Sequence, residues 1–217
     1  MPWLFKSSLH RLRVMEKPGE IWLWDNKGLS LYLNFYRGTG EAQIASERNW
    51  QDVLRVSYFF KFLERRGLLL HASGLVRRGR AFLFPGETRA GKTTIVRQSP
   101  GVSVLSDEMP AVRLLENGGA PLAYGTPLFG SWGRPGENLS APLRGFYFPV
   151  KAIENRLTPI APSKALSLLI QRVCSFTTWE PRLRQLVQLT EELVQRVPSF
   201  ILEFRPRPDF WQVIDGT

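Results

Sequence analysis

The residues Gly86-Glu87-Thr88-Arg89-Ala90-Gly91-Lys92-Thr93-Thr94 carry the strongest chemical signal in this chain of 217 residues. Their spacing is GxxxxGK[ST], a loop that wraps backbone N–H groups around phosphate. Gly86 and Gly91 free the backbone to curl, and Thr88, Arg89 and Ala90 line the curve. A helix starting at the loop points its positive end at the same anion. Lys92 would reach the β- and γ-phosphates of a nucleotide, the Thr93 hydroxyl would complete a Mg²⁺ shell, and Thr94 follows on the helix. The implied ligands are ATP and Mg²⁺.

Asp107 and Glu108 form the second signal. They end an apolar run at 102–106, and metal-holding acids of phosphate-loop proteins occupy such strand ends. Only fifteen positions separate Lys92 from Asp107. That distance holds a helix of about two turns, the turn Ser99-Pro100-Gly101 and a short returning strand. One right-handed βαβ unit would then return Asp107 to the phosphate edge. Thr93, Asp107 and Glu108 are the candidate metal contacts. His71 is the third signal, at the end of Leu68-Leu69-Leu70. Alone it reads as a core histidine; with the loop downstream it is a candidate to meet the acids or the transferring phosphate. Arg134 and Arg144 are weaker candidates, in or beside a Gly/Pro/Ser-rich segment at 125–142 that could close over a nucleotide and bring an arginine to its γ-phosphate.

The elements that must hold these groups are read from pattern. An aromatic run at 20–24, the turn Asp25-Asn26-Lys27-Gly28 and alternation over 29–36 predict a hairpin. A helix over 51–66, capped by Ser46 or Asn49 and stopped by Gly67, is expected to bury Val53, Leu54, Val56, Phe59, Phe60 and Leu63. Buried strands are predicted at 68–76, 81–84, 102–106 and 145–150, with two more around Asn117-Gly118-Gly119. Helices are expected at 92–97, 163–173 and 181–197, the last opening on Pro181, and late strands at 199–204 and 210–214. The fold class is α/β, one domain over 1–217. Residues 1–66 form a β-rich subregion and 67–217 the nucleotide-binding core.

Composition narrows the classes. Hydrophobic residues at 43% and charged residues at 22% describe a globular chain. The single cysteine, Cys174, excludes an internal disulfide framework and reads as a small buried hydrophobe. The absence of a long apolar run and of an apolar signal in residues 1–6 argues against a membrane span and for the cytoplasm. The net charge of +10, from 22 Arg and 7 Lys against 19 acids, is spread along the chain. It fits a solvated basic surface better than a nucleic-acid face, and no nucleic-acid-binding signature accompanies it.

The strings Leu70-His71-Ala72-Ser73-Gly74, then 86–94, then Leu105-Ser106-Asp107-Glu108, in that order and at close spacing, resemble the catalytic core of the HPr kinase/phosphorylase group. That group is related to phosphoenolpyruvate carboxykinases and includes short kinases of peptide-modification clusters, lasso peptides among them. Gly125-Thr126-Pro127 adds to the likeness. It covers 68–150 well, the C-terminal third loosely and 1–66 not visibly. The resemblance implies a mixed, strongly curved sheet with flanking helices. It also implies transfer of the γ-phosphoryl of ATP to a serine hydroxyl of a protein or peptide, and an oligomer in the long members. Asp107 would be base or metal contact, Glu108 the second acid and His71 their support. Three departures stand out: there is no separate N-terminal domain, the stretch tied to phosphorylase activity is missing, and Glu108 replaces an Asp. Two other readings stay open, a nucleotide-binding regulator without transfer activity and a kinase of a small molecule.

Overall fold

A computed structural model describes residues 12–216. Residues 1–6, which carry no apolar signal, lie outside the described residues. Four strands open the fold as an antiparallel meander: β1 (Arg13–Lys17), β2 (Glu20–Trp24), β3 (Leu29–Asn34) and β4 (Thr39–Ile44). The β2–β3 pair is the expected hairpin. Its turn is held by Asp25, whose Oδ1 accepts from the backbone N–H of Lys27 at 2.8 Å and of Leu29 at 2.9 Å. β1 and β4 were not expected, because neither carries a continuous apolar alternation; β4 is exposed at all six positions.

Helix α1 (Glu47–Glu64) starts four residues before its predicted position, directly after Ser46, whose hydroxyl donates to Asn49 Oδ1 at 2.8 Å. The left-handed residue that ends it is Arg66 (φ 56°), and Gly67 already belongs to the next strand.

The second sheet holds nine strands. The predicted strand at 68–76 is broken in two, β5 (Gly67–Leu69) and β6 (Ala72–Arg77). The break forms because two separate segments satisfy its backbone: Leu70 N–H donates to Pro110 O and Ala72 N–H to Glu108 O in the stretch after β8, while His71 N–H donates to Arg172 O. β7 (Arg80–Pro85) leads into the glycine loop, then α2 (Lys92–Arg97) and β8 (Ser103–Ser106). β6 lies between β7 and β8 and runs antiparallel to both, so the crossover through α2 spans one intervening strand. β9 (Ala111–Arg113), β10 (Leu122–Tyr124) and the long β11 (Ser140–Lys151) extend the sheet. β11 runs parallel to β7 on one side and, through its second half, parallel to β13 (Ser199–Phe204) on the other; β12 (Arg156–Pro159) closes that side. Helices α3 (Pro162–Leu169) and α4 (Glu180–Arg196) flank the sheet, with a 3-10 turn at Ile170–Arg172. The result is a mixed α/β architecture.

Two expectations are corrected. The stretch at 210–214 is not a strand but part of α5 (Phe210–Asp215). Its buried residues Phe210, Trp211 and Ile214 share one helical face against Phe82, Phe84, Tyr147 and Phe204, with Trp211 edge-on to Phe82 at 5.2 Å between ring centroids. The segment 125–142 is irregular as expected up to residue 139, but it does not stand clear of the sheet. It is stitched along β8 by Thr126 N–H to Leu105 O at 3.1 Å and Glu137 N–H to Val104 O at 2.7 Å, and its last residues start β11.

One core cluster joins Ile21, Leu23 and Leu31 of the meander to α1, β5, β9, α3 and α4, so the N-terminal subregion packs on the same body as the loop-bearing sheet. A buried ion pair pins the two. Glu16 on β1, with 6% of its side chain exposed, meets Arg182 on α4, 15% exposed, at 2.8 Å and also accepts from Thr178 N–H. The Arg182 guanidinium lies 4.9 Å from the Phe60 ring centroid and 5.2 Å from that of Trp179. Arg182→Ala should cost about 3 kcal/mol in urea unfolding, because it strands a buried carboxylate. Adding Glu16→Leu should recover part of that loss, and simple additivity of the two would refute the pairing.

Candidate functional site

β7, β11 and β13 run parallel, and the C-terminal ends of all three meet the glycine loop. Pro149 near the end of β11 and Phe204 at the end of β13 pack against it. A Cβ at Gly91 would sit 2.5 Å from the Phe204 ring, and Gly91 has φ 105°, so this position needs glycine on both counts. Arg89, at the crest of the loop, also has positive φ (71°) and is exposed, as are Glu87 and Thr88. Ala90 N–H donates to Glu87 O at 3.1 Å, which tightens the turn. α2 has only six residues, so its dipole is short and the loop itself must supply most of any anion binding.

Lys92 is nearly buried, 7% exposed. Its ammonium donates to Gly86 O at 3.0 Å and Glu87 O at 2.9 Å, so the loop curls around it. Burial pushes its pKa below the ordinary lysine value, opposed by the charges of Glu108, Asp107 and Glu87. Thr93, half-buried one residue on, points its hydroxyl at Asp107, with Oγ1 3.4 Å from Oδ2; Thr94 is half-buried beside it.

Asp107 is 1% exposed. Its Oδ1 accepts from Gly130 N–H at 2.7 Å and its Oδ2 from Trp132 N–H at 2.8 Å. Ser106 supports the same junction: its hydroxyl donates to Leu128 O at 2.6 Å and accepts from the N–H of Glu108 and Met109. Glu108 has a different setting. Its carboxylate faces His71, with Nε2 3.8 Å from Oε1, and a Cβ on Gly130 would come within 2.7 Å of its Oε2. Burial raises the Glu108 pKa above the usual carboxylate value; Lys92 and Arg55 pull it down and Asp107 pushes it up. His71 therefore stands at the acids and not in a closed core: its side chain is 26% exposed and its carbonyl accepts from Gly86 N–H at 3.3 Å.

The predicted residues thus divide. Residues 86–94, His71, Asp107 and Glu108 come together. Arg134 is exposed and stacks on Trp132 at 4.0 Å, two positions from an amide that binds Asp107. Arg144 does not join them: it lies between Leu143 and Gly145, which pair with Ala81 and Phe82 at the start of β7, the end away from the loop. Sequence reasoning missed the Gly130 and Trp132 amides, which carry no side-chain signal. It also missed Arg172, whose guanidinium meets Glu87 at 3.2 Å with 11% of its side chain exposed, and Arg55 of α1, whose charge reaches Glu108 and whose Nε is buried without an acceptor. Cys174 is buried, as expected, and burial pushes its thiol up to about 12.

The site can hold an anion at Lys92 and a hard cation at Thr93 and Asp107. Among the described residues no group of three or more His, Cys, Asp or Glu is placed to hold a metal ion. Two oxygen donors nevertheless suit Mg²⁺, which takes much of its shell from phosphate and water. No family model matches the chain, and no curated protein matches it. No described helix is long and apolar enough to cross a membrane.

Both acids can be tested separately. Asp107→Ala leaves the Gly130 and Trp132 amides without their acceptor; it should cost about 2–3 kcal/mol and speed hydrogen exchange at 130–132. Exchange unchanged there would refute the clamp. Glu108 ionises only above its raised native pKa while the unfolded carboxyl ionises near its ordinary value, so its charge costs stability once pH rises through that interval. Glu108→Gln should therefore stabilise at neutral pH and lose that gain below the ordinary carboxylate pKa, as denaturant titrations at both pH values would show.

Proposed function

We propose that this chain is an ATP-dependent kinase that moves the γ-phosphoryl group to a serine hydroxyl of a protein or peptide. The observation that carries the reading is the convergence of Lys92, Thr93, Asp107, Glu108 and His71 at the edge of the sheet where β7 and β8 end and β6 begins, the carboxyl-end edge at which ligands of α/β sheets bind. Their order in the chain is also that of the short HPr kinases they resemble. In this reading the loop at 86–91 and Lys92 hold the phosphates. Thr93 and Asp107 would hold Mg²⁺, which would neutralise charge on the phosphate oxygens.

Phosphoryl transfer demands positioning and charge stabilisation. The bond between the γ-phosphorus and its bridging oxygen breaks, ADP leaves, and the serine oxygen bonds to phosphorus. The hydroxyl proton needs an acceptor. Both Asp107 oxygens are occupied by backbone amides, which suits a fixed metal and positioning role. Glu108, beside His71 and with its proton affinity raised by burial, suits the base. This reverses the order of roles that the resemblance alone favoured. Arg134, on Trp132, is the arginine nearest in chain to the clamp and is available to an acceptor.

Radiolabelled ATP offered with serine peptides encoded by neighbouring genes tests the reading. Wild type should label a peptide on serine, and Glu108→Gln should slow transfer by about a hundredfold while ATP still binds. Tight ATP binding with no label on any peptide would favour a nucleotide-binding regulator instead.

A further inference from the structure

We propose that β4 and the groove between it and α1 dock an extended peptide segment, which adds to the meander as a fifth strand. Taking that segment to be part of the phosphoryl acceptor rests on the kinase reading; the docking itself does not.

Among the described residues β4 is one of the two edge strands of its sheet, six residues long, paired in unbroken register to β3 from Thr39 to Ile44 and exposed throughout. One row of its backbone N–H and C=O groups therefore faces outward. Edges of the larger sheet are managed: β8 is covered by the 125–139 segment, β5 by Cys174 N–H donating to Leu69 O, and β12 is short and carries Pro159. β4 has no proline, no lysine and no bulge. Beside it runs a groove of about 610 Å³ lined by Leu33, Ala42, Val53, Tyr58 and Phe62. At Trp50, which is 51% exposed, the groove meets a second hollow at Ile44 and Ser46. An edge strand beside an apolar groove walled by a helix is the geometry of strand addition: main-chain bonds give affinity, and alternate side chains enter the groove.

Charge selects the occupant. Lys61 pairs with Glu64 at 3.6 Å, leaving Glu41 of β4 as the groove's uncompensated charge among the described residues, on a chain of net +10. A segment of alternating apolar side chains with a basic residue opposite Glu41 fits. A second copy, itself strongly basic, is opposed by long-range repulsion. α1 connects this groove to the acids, because Trp50, Val53 and Tyr58 line the groove while the charge of Arg55 acts on Glu108. A helix is about 10 Å across, so roughly three or four extended residues, at about 3.3 Å each, would carry a docked peptide past it.

The probe is a blocked peptide of alternating valine and threonine ended by lysines, used without nucleotide. It should bind, shift the emission of Trp50 (a shift lost in Trp50→Phe) and protect amides within 39–44 from hydrogen exchange. A glycine/serine peptide with the same ends should not. Neighbouring N–H groups of a strand point to opposite sides, so one of Ala42→Pro and Gln43→Pro removes an outward donor and spares the β3 pairing. That variant should bind at least about tenfold more weakly. Glu41→Lys, at an exposed position, should also weaken binding and keeps the test open if both prolines prevent folding. No binding, protection confined to another element, or unchanged affinity in Glu41→Lys and in the folded proline variants would each overturn the proposal. So would sedimentation showing a dimer whose formation protects β4. Failure of serine labelling would leave all these results standing, since the probe involves no transfer.

Discussion

The carboxylate of Asp107 is the constraint on which the site depends. It ends β8, and from that fixed point it binds two backbone amides of the 125–139 segment and approaches the Thr93 hydroxyl. A buried carboxylate is costly unless its lone pairs are used. Here they are used by groups from two separate stretches of chain. The clamp therefore sets three things together: the path of the segment that covers the β8 edge, the position of α2 relative to the sheet, and the place of Glu108. Ser106 and Thr126 reinforce it through buried side-chain bonds to Leu128 O and Met109 O.

Division of labour between two adjacent acids results from that clamp. Neighbouring residues leaving a strand point apart, so Asp107 turns into the segment and Glu108 turns toward His71 and the lysine. One carboxylate is fixed by a backbone amide on each oxygen; the other is desolvated with a histidine at 3.8 Å. Environments this different give two carboxylates different proton affinities, which is what separates a positioning acid from a proton acceptor.

Much of the site was legible in the chain because it is local. Residues 86–94 name their own conformation through Gly86, Gly91 and Lys92, and the fifteen positions to Asp107 allow only a short helix and return. The illegible parts depend on partners distant in sequence. Leu68 to Val76 looks like one continuous strand through His71; only Pro110, Arg172 and Glu108 reveal that the chain breaks there. A glycine- and proline-rich stretch at 125–142 looks mobile, yet two of its amides are fixed by Asp107, far back in the chain. Phe210, Trp211 and Ile214 form too short a run to separate helix from strand until the aromatic cluster is assembled. Arg144 lies beside the 125–142 segment in sequence, but strand register sets it at the far end of β7.

Every catalytic role proposed above requires that the 86–94 loop bind nucleotide phosphate through Lys92 beside the Asp107 clamp. Calorimetric titration of Mg·ATP into wild type and Lys92→Ala measures this without reference to any acceptor. Saturable binding to wild type is expected, with affinity at least about tenfold weaker once the ammonium is removed; equal affinity in the two proteins, with Lys92→Ala fully folded, would contradict it.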